Sequence, residues 1–401
     1  MLKKLEPKNL SLSIELPILI LMGLGTVFVF SAGATVTSSF DFKNFYNFTT
    51  LKQLLFFPLA VAIMYAMSAV NVQRFSFTRE ATKRSITPYL LGISAILLIL
   101  ALTPGIGSPK NYSWRWLSIP LGSASISFQP SELAKWAVVI YMAAILDKLS
   151  GDLNSYTKRF IPILIVPLVL VGLIITQDFG TAAFISALTF LMLIIGGATW
   201  WHFLTPIPPV ILGFYFAVIK VPYRMERIKA WFDPESQSTA TYHAEQSLIA
   251  VSTGSIWGKG LGRGTTKYGH LPEDTTDFIF AIIGEELGFA GCVFVILMFV
   301  MLVSMALLVA NRCRDTFSKL LAAGIAMTIG FQAAINIGVV TCVLPTKGIP
   351  LPFLSAGGTS LLLTAAASGL LLSIARSTAD IKPVGDMYPA LEVADGPVAI
   401  A

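Results

Sequence analysis

The chain has 401 residues, 55% of them hydrophobic and only 12% charged, with a mean hydropathy of +0.75. Soluble globular proteins carry about twice that charge, so these figures exclude a single water-solvated core and imply a polytopic membrane protein. The net charge of +6 is modest, fits a basic bias in cytoplasmic loops, and calls for no nucleic-acid partner.

Apolar runs of spanning character lie at Leu16–Val36, Leu54–Val70, Tyr89–Thr103, Leu133–Leu146, Phe160–Ile175, Thr181–Ala198, Phe203–Val221, Phe278–Val309, Leu320–Val343 and Ser355–Ile374. A spanning helix needs about 20 residues, so the shorter runs borrow from their flanks, and the long run from Phe278 tilts or projects. The expected fold class is all-α, with about ten transmembrane helices. No cleavable leader is expected, because the first run continues without a small-residue cleavage site. Lysine and arginine set the orientation. With both termini inside, the cytoplasmic segments gather Lys3, Lys4, Lys8, Arg74, Arg79, Lys83, Arg84, Lys148, Lys158, Arg159, Arg312, Arg314, Lys319, Arg376 and Lys382. The short outer loops then hold only Lys43, Lys52, Lys110, Arg115 and Lys347. This reading makes residues 1–378 one membrane domain with a long outer loop at 222–276, and leaves 379–401 as a disordered cytoplasmic tail.

The expected outer side holds nearly all the unusual polar sequence. Arg115 sits between Trp114 and Trp116, as an interfacial anchor does. QPSELAK then opens a helix with Pro130 at its start and Glu132 three residues before Lys135, a spacing that allows an ion pair. Asp178 in the tight turn TQDFGT suits a helix cap. YRMERIKAWFDPE alternates Arg224, Arg227 and Lys229 with Met225, Ile228 and Trp231, the pattern of an interfacial amphipathic helix. GSIWGKGLGRG is glycine-rich but lacks the ending of a phosphate-binding loop. Cys292, Cys313 and Cys342 have no metal-type spacing, and His202, His243 and His270 read as interface or loop residues.

LPEDTTDFIFAIIGEELG at Leu271–Gly288 carries Glu273, Asp274, Asp277, Glu285 and Glu286 into an apolar helix. Charges at membrane depth are costly and mark function or a buried partner. At about 100° per residue, Glu285 points within roughly 80° of Asp277 and about 12 Å deeper, and Glu286 points roughly the opposite way. Asp277 and Glu285 are therefore expected to line one cavity while Glu286 packs elsewhere; helix capping is the plainer reading of Asp277. LPTKGIPLPFLSAGG at Leu344–Gly358 holds three prolines that exclude regular helix, with Lys347 as a fixed positive charge. Asn336 is a further polar group at depth.

These segments carry a resemblance. RWL at Arg115–Leu117, FQPSELAK at Phe128–Lys135, DFGT at Asp178–Thr181, QSLIA at Gln246–Ala250, WGKGLG at Trp257–Gly262, the Leu271–Gly288 stretch and INIGVVTCVLPTKGIPLPFLSAGGTSLL at Ile335–Leu362 together resemble the SEDS family (shape, elongation, division and sporulation), typified by FtsW and RodA. The LPTKGIPLPF form is nearer the FtsW and sporulation branch. The chain departs from the family pattern at Gln177, His243, Thr275 and Ala356, and is about four residues longer between Arg115 and Gln129.

The resemblance implies a peptidoglycan glycosyltransferase that polymerises lipid II on the outer face of the bacterial cytoplasmic membrane, at the division septum for the FtsW branch. It places the essential acid on Asp277, as base toward the acceptor hydroxyl. It implies no organic cofactor, leaves room for a divalent cation (Mg or Mn), and gives as partners a class B penicillin-binding protein and other divisome membrane proteins. The expected substrate-binding set is Arg115, Lys135, Glu132, Arg224, Lys347 and Glu285, the cations facing the leaving diphosphate. Two rivals use the same polar residues: a lipid II flippase, whose ionisable site belongs near the midplane, and a non-catalytic divisome scaffold, in which Asp277 is dispensable.

Overall fold

The computed structural model describes residues 7–33, 48–77, 85–110, 113–121, 124–149, 153, 155–233, 239–267 and 275–379; Glu273, Asp274, His270 and all but the first residue of the expected tail 379–401 lie outside them. Helices dominate because lipid offers the backbone no hydrogen-bond partners, so each apolar run must satisfy its own amides. They are α1 (Pro7–Ala32), α2 (Phe48–Ser68), α3 (Thr87–Leu102), α4 (Pro130–Lys148), α5 (Ile161–Ile175), α6 (Phe179–Ile195), α7 (Ile207–Phe214), α8 (Pro222–Phe232), α9 (Thr239–Thr253), α10 (Ile279–Arg312), α11 (Thr316–Val340) and α12 (Gly358–Ala379). Five described segments are long and apolar enough to cross a membrane: Leu10–Ala32, Tyr156–Ile175, Ile279–Arg312, Thr316–Val340 and Gly358–Thr378. Lys52–Ser68, Thr87–Leu102 and Phe179–Ile195 are shorter apolar helices.

Helix α4 lies at the centre, against α3, α5, α6, α11 and α12. From Trp136 to Ala144 every residue is buried, as expected of a helix that is apolar all round. Peripheral helices turn large side chains outward, such as Ile93, Ile96 and Ile99 on α3 and Ile165, Leu168 and Val169 on α5. In a bilayer those faces meet lipid.

The all-α expectation needs correction. Residues Gly107–Lys110 (β1), Ser113–Leu121 (β2) and Ala124–Phe128 (β3) form a three-stranded antiparallel sheet in the order β1-β2-β3, with Leu117 opposite Gly107 on one side and Phe128 on the other. The alternation SWRWLSI has the strand period of two, which places Arg115 on the sheet face opposite its flanking tryptophans. The expected outer loop is also substantially helical. Its start forms α8, as the amphipathic pattern predicts, and α9 follows. The run Phe203–Val221 is no single helix: α7 is short and passes into a π-helical turn at Tyr215–Ile219.

Helix α10 departs furthest from the expected continuous span. Gly288 has φ 69° and ψ −165°, a backbone state reserved for glycine, and divides the helix into 279–287 and 289–312. A break frees carbonyls before it and amides after it. The glycine-rich segment after α9 supplies both partners. Lys259 N–H donates to Glu285 O and Gly260 N–H to Glu286 O, each at 3.0 Å, while Phe289 N–H and Ala290 N–H donate to Ser255 O (2.9 Å) and Ile256 O (3.1 Å). The sequence GSIWGKGLG thus fills the gap in a broken helix, which satisfies the requirement that irregular backbone in a membrane be surrounded by protein.

Candidate active site

The two glutamates of α10 are held by this same segment. Glu285 is fully buried. It accepts hydrogen bonds from Lys259 Nζ (2.7 Å), from Thr265 N–H (2.8 Å) and Oγ1 (3.1 Å), and from Thr266 N–H (3.2 Å) and Oγ1. Glu286, also fully buried, accepts from Ser31 of α1 at 2.7 and 2.8 Å and from Lys267 Nζ at 2.8 Å. The expectation that Glu285 and Asp277 share a cavity is therefore corrected: the Glu285 carboxylate is enclosed by residues 259–266, and Glu286 is enclosed beside it by α1 and Lys267.

Asp277 has different surroundings. It is half-buried in the turn before α10, and the N-cap position falls on the next residue, Phe278. Its carboxylate lies against Gly348, where a Cβ would stand 2.7 Å from Oδ2. Gly348 follows Lys347 in the non-helical segment between α11 and α12, so that segment passes directly over the acid.

Lys347 runs from there toward the start of α6. Its ammonium lies 5.4 Å above the Phe179 ring, and its Cε packs where Gly180 has no side chain. Burial pushes its pKa below the usual lysine value; Asp178 opposes that shift and Arg227 adds to it. Asp178 caps α6 through Thr181 N–H (3.0 Å) and accepts from Thr181 Oγ1 (2.9 Å). It also pairs with Arg115 at 3.4 Å and accepts from Gln129 Nε2 at 3.4 Å. Arg115 therefore reaches α6 from β2, and its buried Nε has no partner among the described residues.

Arg224 stacks on the same ring, 5.6 Å from Phe179. It donates to Ala217 O (2.6 Å), Ile175 O (3.2 Å) and Thr176 O (3.2 Å), so it ties α8 to the end of α5. Burial lowers its pKa and Asp178 opposes the shift. Arg227 donates to Thr346 O at 3.4 Å and to Tyr223 Oη. The structure thus brings Arg115, Arg224, Arg227 and Lys347 together around Asp178 and Phe179, with Asp277 across Gly348.

Glu132 and Lys135 lie deeper in α4. They pair at 2.8 Å with side chains only 7% and 2% exposed. Lys135 Nζ also donates to Gln332 Oε1 (2.8 Å), whose Nε2 donates to Pro350 O (2.8 Å). The ion pair is therefore linked to the segment that carries Lys347 rather than placed in the cation group itself. Gln332, together with Lys259, Lys267 and Ser355, escaped the sequence reading. For Gln332 a signal existed: it stands four residues before Asn336 on an otherwise apolar helix, hence on the same face.

Among the described residues no group of three or more His, Cys, Asp or Glu side chains is placed to hold a metal ion. Of the two carboxylates beside the cation group, Asp178 is taken up by Thr181, Arg115 and Gln129. The described residues therefore compose no metal site of their own, and a magnesium or manganese ion there would rest chiefly on substrate oxygens.

Comparison with known proteins gives this geometry a context. A family model described as cell cycle protein, covering FtsW, RodA and SpoVE, matches residues 12–380. A probable peptidoglycan glycosyltransferase FtsW of Trichlorobacter lovleyi is 38% identical over 90% of this chain and 91% of its own. Stage V sporulation protein E of Bacillus subtilis is 35% identical over 93% and 98%. Among solved structures, a chain of a peptidoglycan synthase complex that coordinates polymerisation and crosslinking superposes with a TM-score of 0.70 at 25% identity, covering 92% of this chain and 98% of that one. A variant of the rod shape determining protein RodA of Thermus thermophilus gives 0.62 at 24%, over 91% and 96%, a likeness of fold. With a family model that spans the acid-bearing turn, the cation-bearing segment and the buried ion pair, and relatives this similar over nine-tenths of the chain, the chain belongs to the FtsW/RodA/SpoVE family, the SEDS proteins.

Proposed function

We propose that this chain is a peptidoglycan glycosyltransferase that polymerises lipid II at the outer face of the bacterial cytoplasmic membrane, in septal wall synthesis. The observation that carries the reading is the juxtaposition at Gly348: a half-buried carboxylate on one side, and on the other Lys347 within a cluster of arginines. A base and a fixed positive field are what transfer from a lipid diphosphate needs. Asp277 takes the proton from the acceptor sugar hydroxyl as that oxygen bonds to the donor's anomeric carbon. The bond to the diphosphate breaks, and the polyprenyl diphosphate leaves with the electron pair. A positioned base contributes about 10²–10⁴-fold, and each well-placed cation or donor facing the leaving charge about 10²–10³-fold. The donor's own diphosphate bond supplies the driving force.

In this reading the chain crosses the membrane ten times with both termini inside. Lys347 and Arg115 face the diphosphate, Arg224 keeps α8 in place, and Glu132 with Lys135 holds the Lys347 segment from below. Glu285 anchors the glycine-rich segment rather than touching substrate. The partner is a class B penicillin-binding protein, as the similarity to a synthase complex that couples polymerisation to crosslinking supports; the similarity to relatives named FtsW supports the septal role. A broken helix is also a transporter feature, which favours a flippase as the second reading. Here, however, the break is filled by the chain's own backbone, which leaves no half-helix ends for a ligand.

The test is glycan polymerisation from lipid II by the purified chain with its penicillin-binding partner, the partner's transpeptidase inactivated. Asp277→Asn keeps shape and removes basicity. Expected is a loss of at least about 100-fold with unchanged melting. Equal polymerisation by both proteins overturns the mechanism, and lipid II movement across proteoliposomes without polymer moves the flippase ahead.

A further inference from the structure

The turn that carries Asp277 is held through its main chain. Three successive carbonyls before α10 are each occupied: Thr275 O by Ala356 N–H at 2.8 Å, Thr276 O by the Ser355 hydroxyl, and Asp277 O by Asn336 Nδ2 at 2.8 Å. The second Nδ2 hydrogen of Asn336 goes to Ile349 O, also at 2.8 Å. The Ser355 Oγ in turn accepts from Leu351 N–H at 2.7 Å. Asn336 is 1% exposed and Ser355 4%.

Two features argue that these bonds serve Asp277 and are not incidental packing. First, Asn336 donates both amide hydrogens to carbonyls while its Oδ1, buried, has no partner among the described residues. The reverse orientation of the amide would set Oδ1 against two carbonyl oxygens, so the network fixes which way it points. Second, each of the two side chains joins the same two pieces of chain, the Asp277 turn and residues 349–351, the stretch that directly follows Lys347 and Gly348. They hold the acid-bearing and cation-bearing segments at a fixed separation.

We infer that Asn336 and Ser355 are positioning residues for the transfer reaction, which set the Asp277 carboxylate relative to Lys347 by clamping the two backbones to one another. The inference rests on the proposed role of Asp277. Misplacing a reacting group by about 1 Å costs up to about 100-fold in rate, and loss of either clamp frees the turn by that order.

The experiment uses the full chain with its penicillin-binding partner and lipid II, and reads kcat and KM per folded molecule. Expected for Asn336→Ala, and for Asn336→Asp, which has the same shape but cannot donate to both carbonyls, is a fall in kcat of at least about tenfold with KM within about threefold. Ser355→Val falls likewise, whereas Ser355→Thr, of equal size but with a hydroxyl, keeps at least about a third of the rate. A merely structural role lowers the folded fraction or moves Val and Thr together. The inference is overturned if Asn336→Ala and Asn336→Asp keep kcat within about twofold, if KM alone changes, or if Thr fails as Val does in folded protein. Asp277→Asn runs alongside: if it polymerises normally, the reading beneath falls and this inference with it, whereas a dead Asp277→Asn beside normal Asn336 and Ser355 variants sinks this inference alone.

Discussion

A methyl group on residue 348 would land 2.7 Å from Asp277 Oδ2. Only a side-chain end is in the way, so Gly348→Ala is expected to fold normally and displace the carboxylate. Polymerisation should fall at least about tenfold while the melting temperature stays within a degree or two; an active Gly348→Ala would mean the carboxylate's position is immaterial. Lys347 offers a pH test. Because folding lowers its pKa from 10.5, the unfolded chain binds that proton more tightly. This group's contribution to stability therefore rises as pH climbs through the interval below 10.5 and is absent below the lowered value. The same shift makes its positive charge vanish earlier on the alkaline side. Lys347→Arg, charged beyond pH 12, is expected to move the alkaline limb of polymerisation upward, and an unmoved limb would assign it to another group. At this scale the sequence was partly legible. Asp277 was legible as an acid at the entry of an apolar helix, Lys347 as a fixed charge in proline-broken backbone and Arg115 as an interfacial anchor, but whether a carboxylate is caged, as Glu285 is, depends on partners 19 to 26 residues away.

At the scale of elements, Glu286 and Lys267 show why two acids sit inside an apolar run. Both are fully buried, paired at 2.8 Å and shared with Ser31. Removing one partner of such a pair strands the other charge, at about 3–5 kcal/mol. Lys267→Met is therefore expected to lower the thermal midpoint sharply in detergent, and adding Glu286→Gln to recover much of it; a Lys267→Met protein as stable as wild type would mean the pair contributes nothing. The helices of this molecule were readable from apolar runs, since lipid forces such runs to be helical. The sheet at Gly107–Phe128 and the break at Gly288 were not. A short strand signal next to prolines and glycines is weak, and a glycine in an apolar helix gives no sign of its φ until the segment that fills the gap is placed.

For the whole molecule, labelling with a membrane-impermeant thiol reagent in a cysteine-free background measures the orientation. Ser236→Cys, in the segment between α8 and α9, is expected to react from outside intact cells, and Ser150→Cys, between α4 and α5, only after permeabilisation. The opposite pattern would invert the topology and put the cation group out of reach of an outer-leaflet substrate. Most of the apolar helices were legible in place and order from hydropathy. What hydropathy could not convey is which polar stretches converge, because that follows from how α4, α6, α10 and α11 pack.

The division of α10 at Gly288 also sets a height. Residues 289–312 alone reach about 36 Å at 1.5 Å per residue, enough to cross a hydrocarbon layer of about 30 Å. On the proposed orientation, the piece in front of the break, 279–287, adds length beyond what that layer needs. It forms a post of about 13 Å, sheathed by the glycine-rich segment, with Ile256, Trp257 and Leu261 turned outward at its base, where an indole suits the boundary between acyl chains and head groups. Asp277 rides on top of that post. Under the proposed function, a sugar carried on a lipid diphosphate stands above the acyl chains, and a post of this length would set the carboxylate at that level.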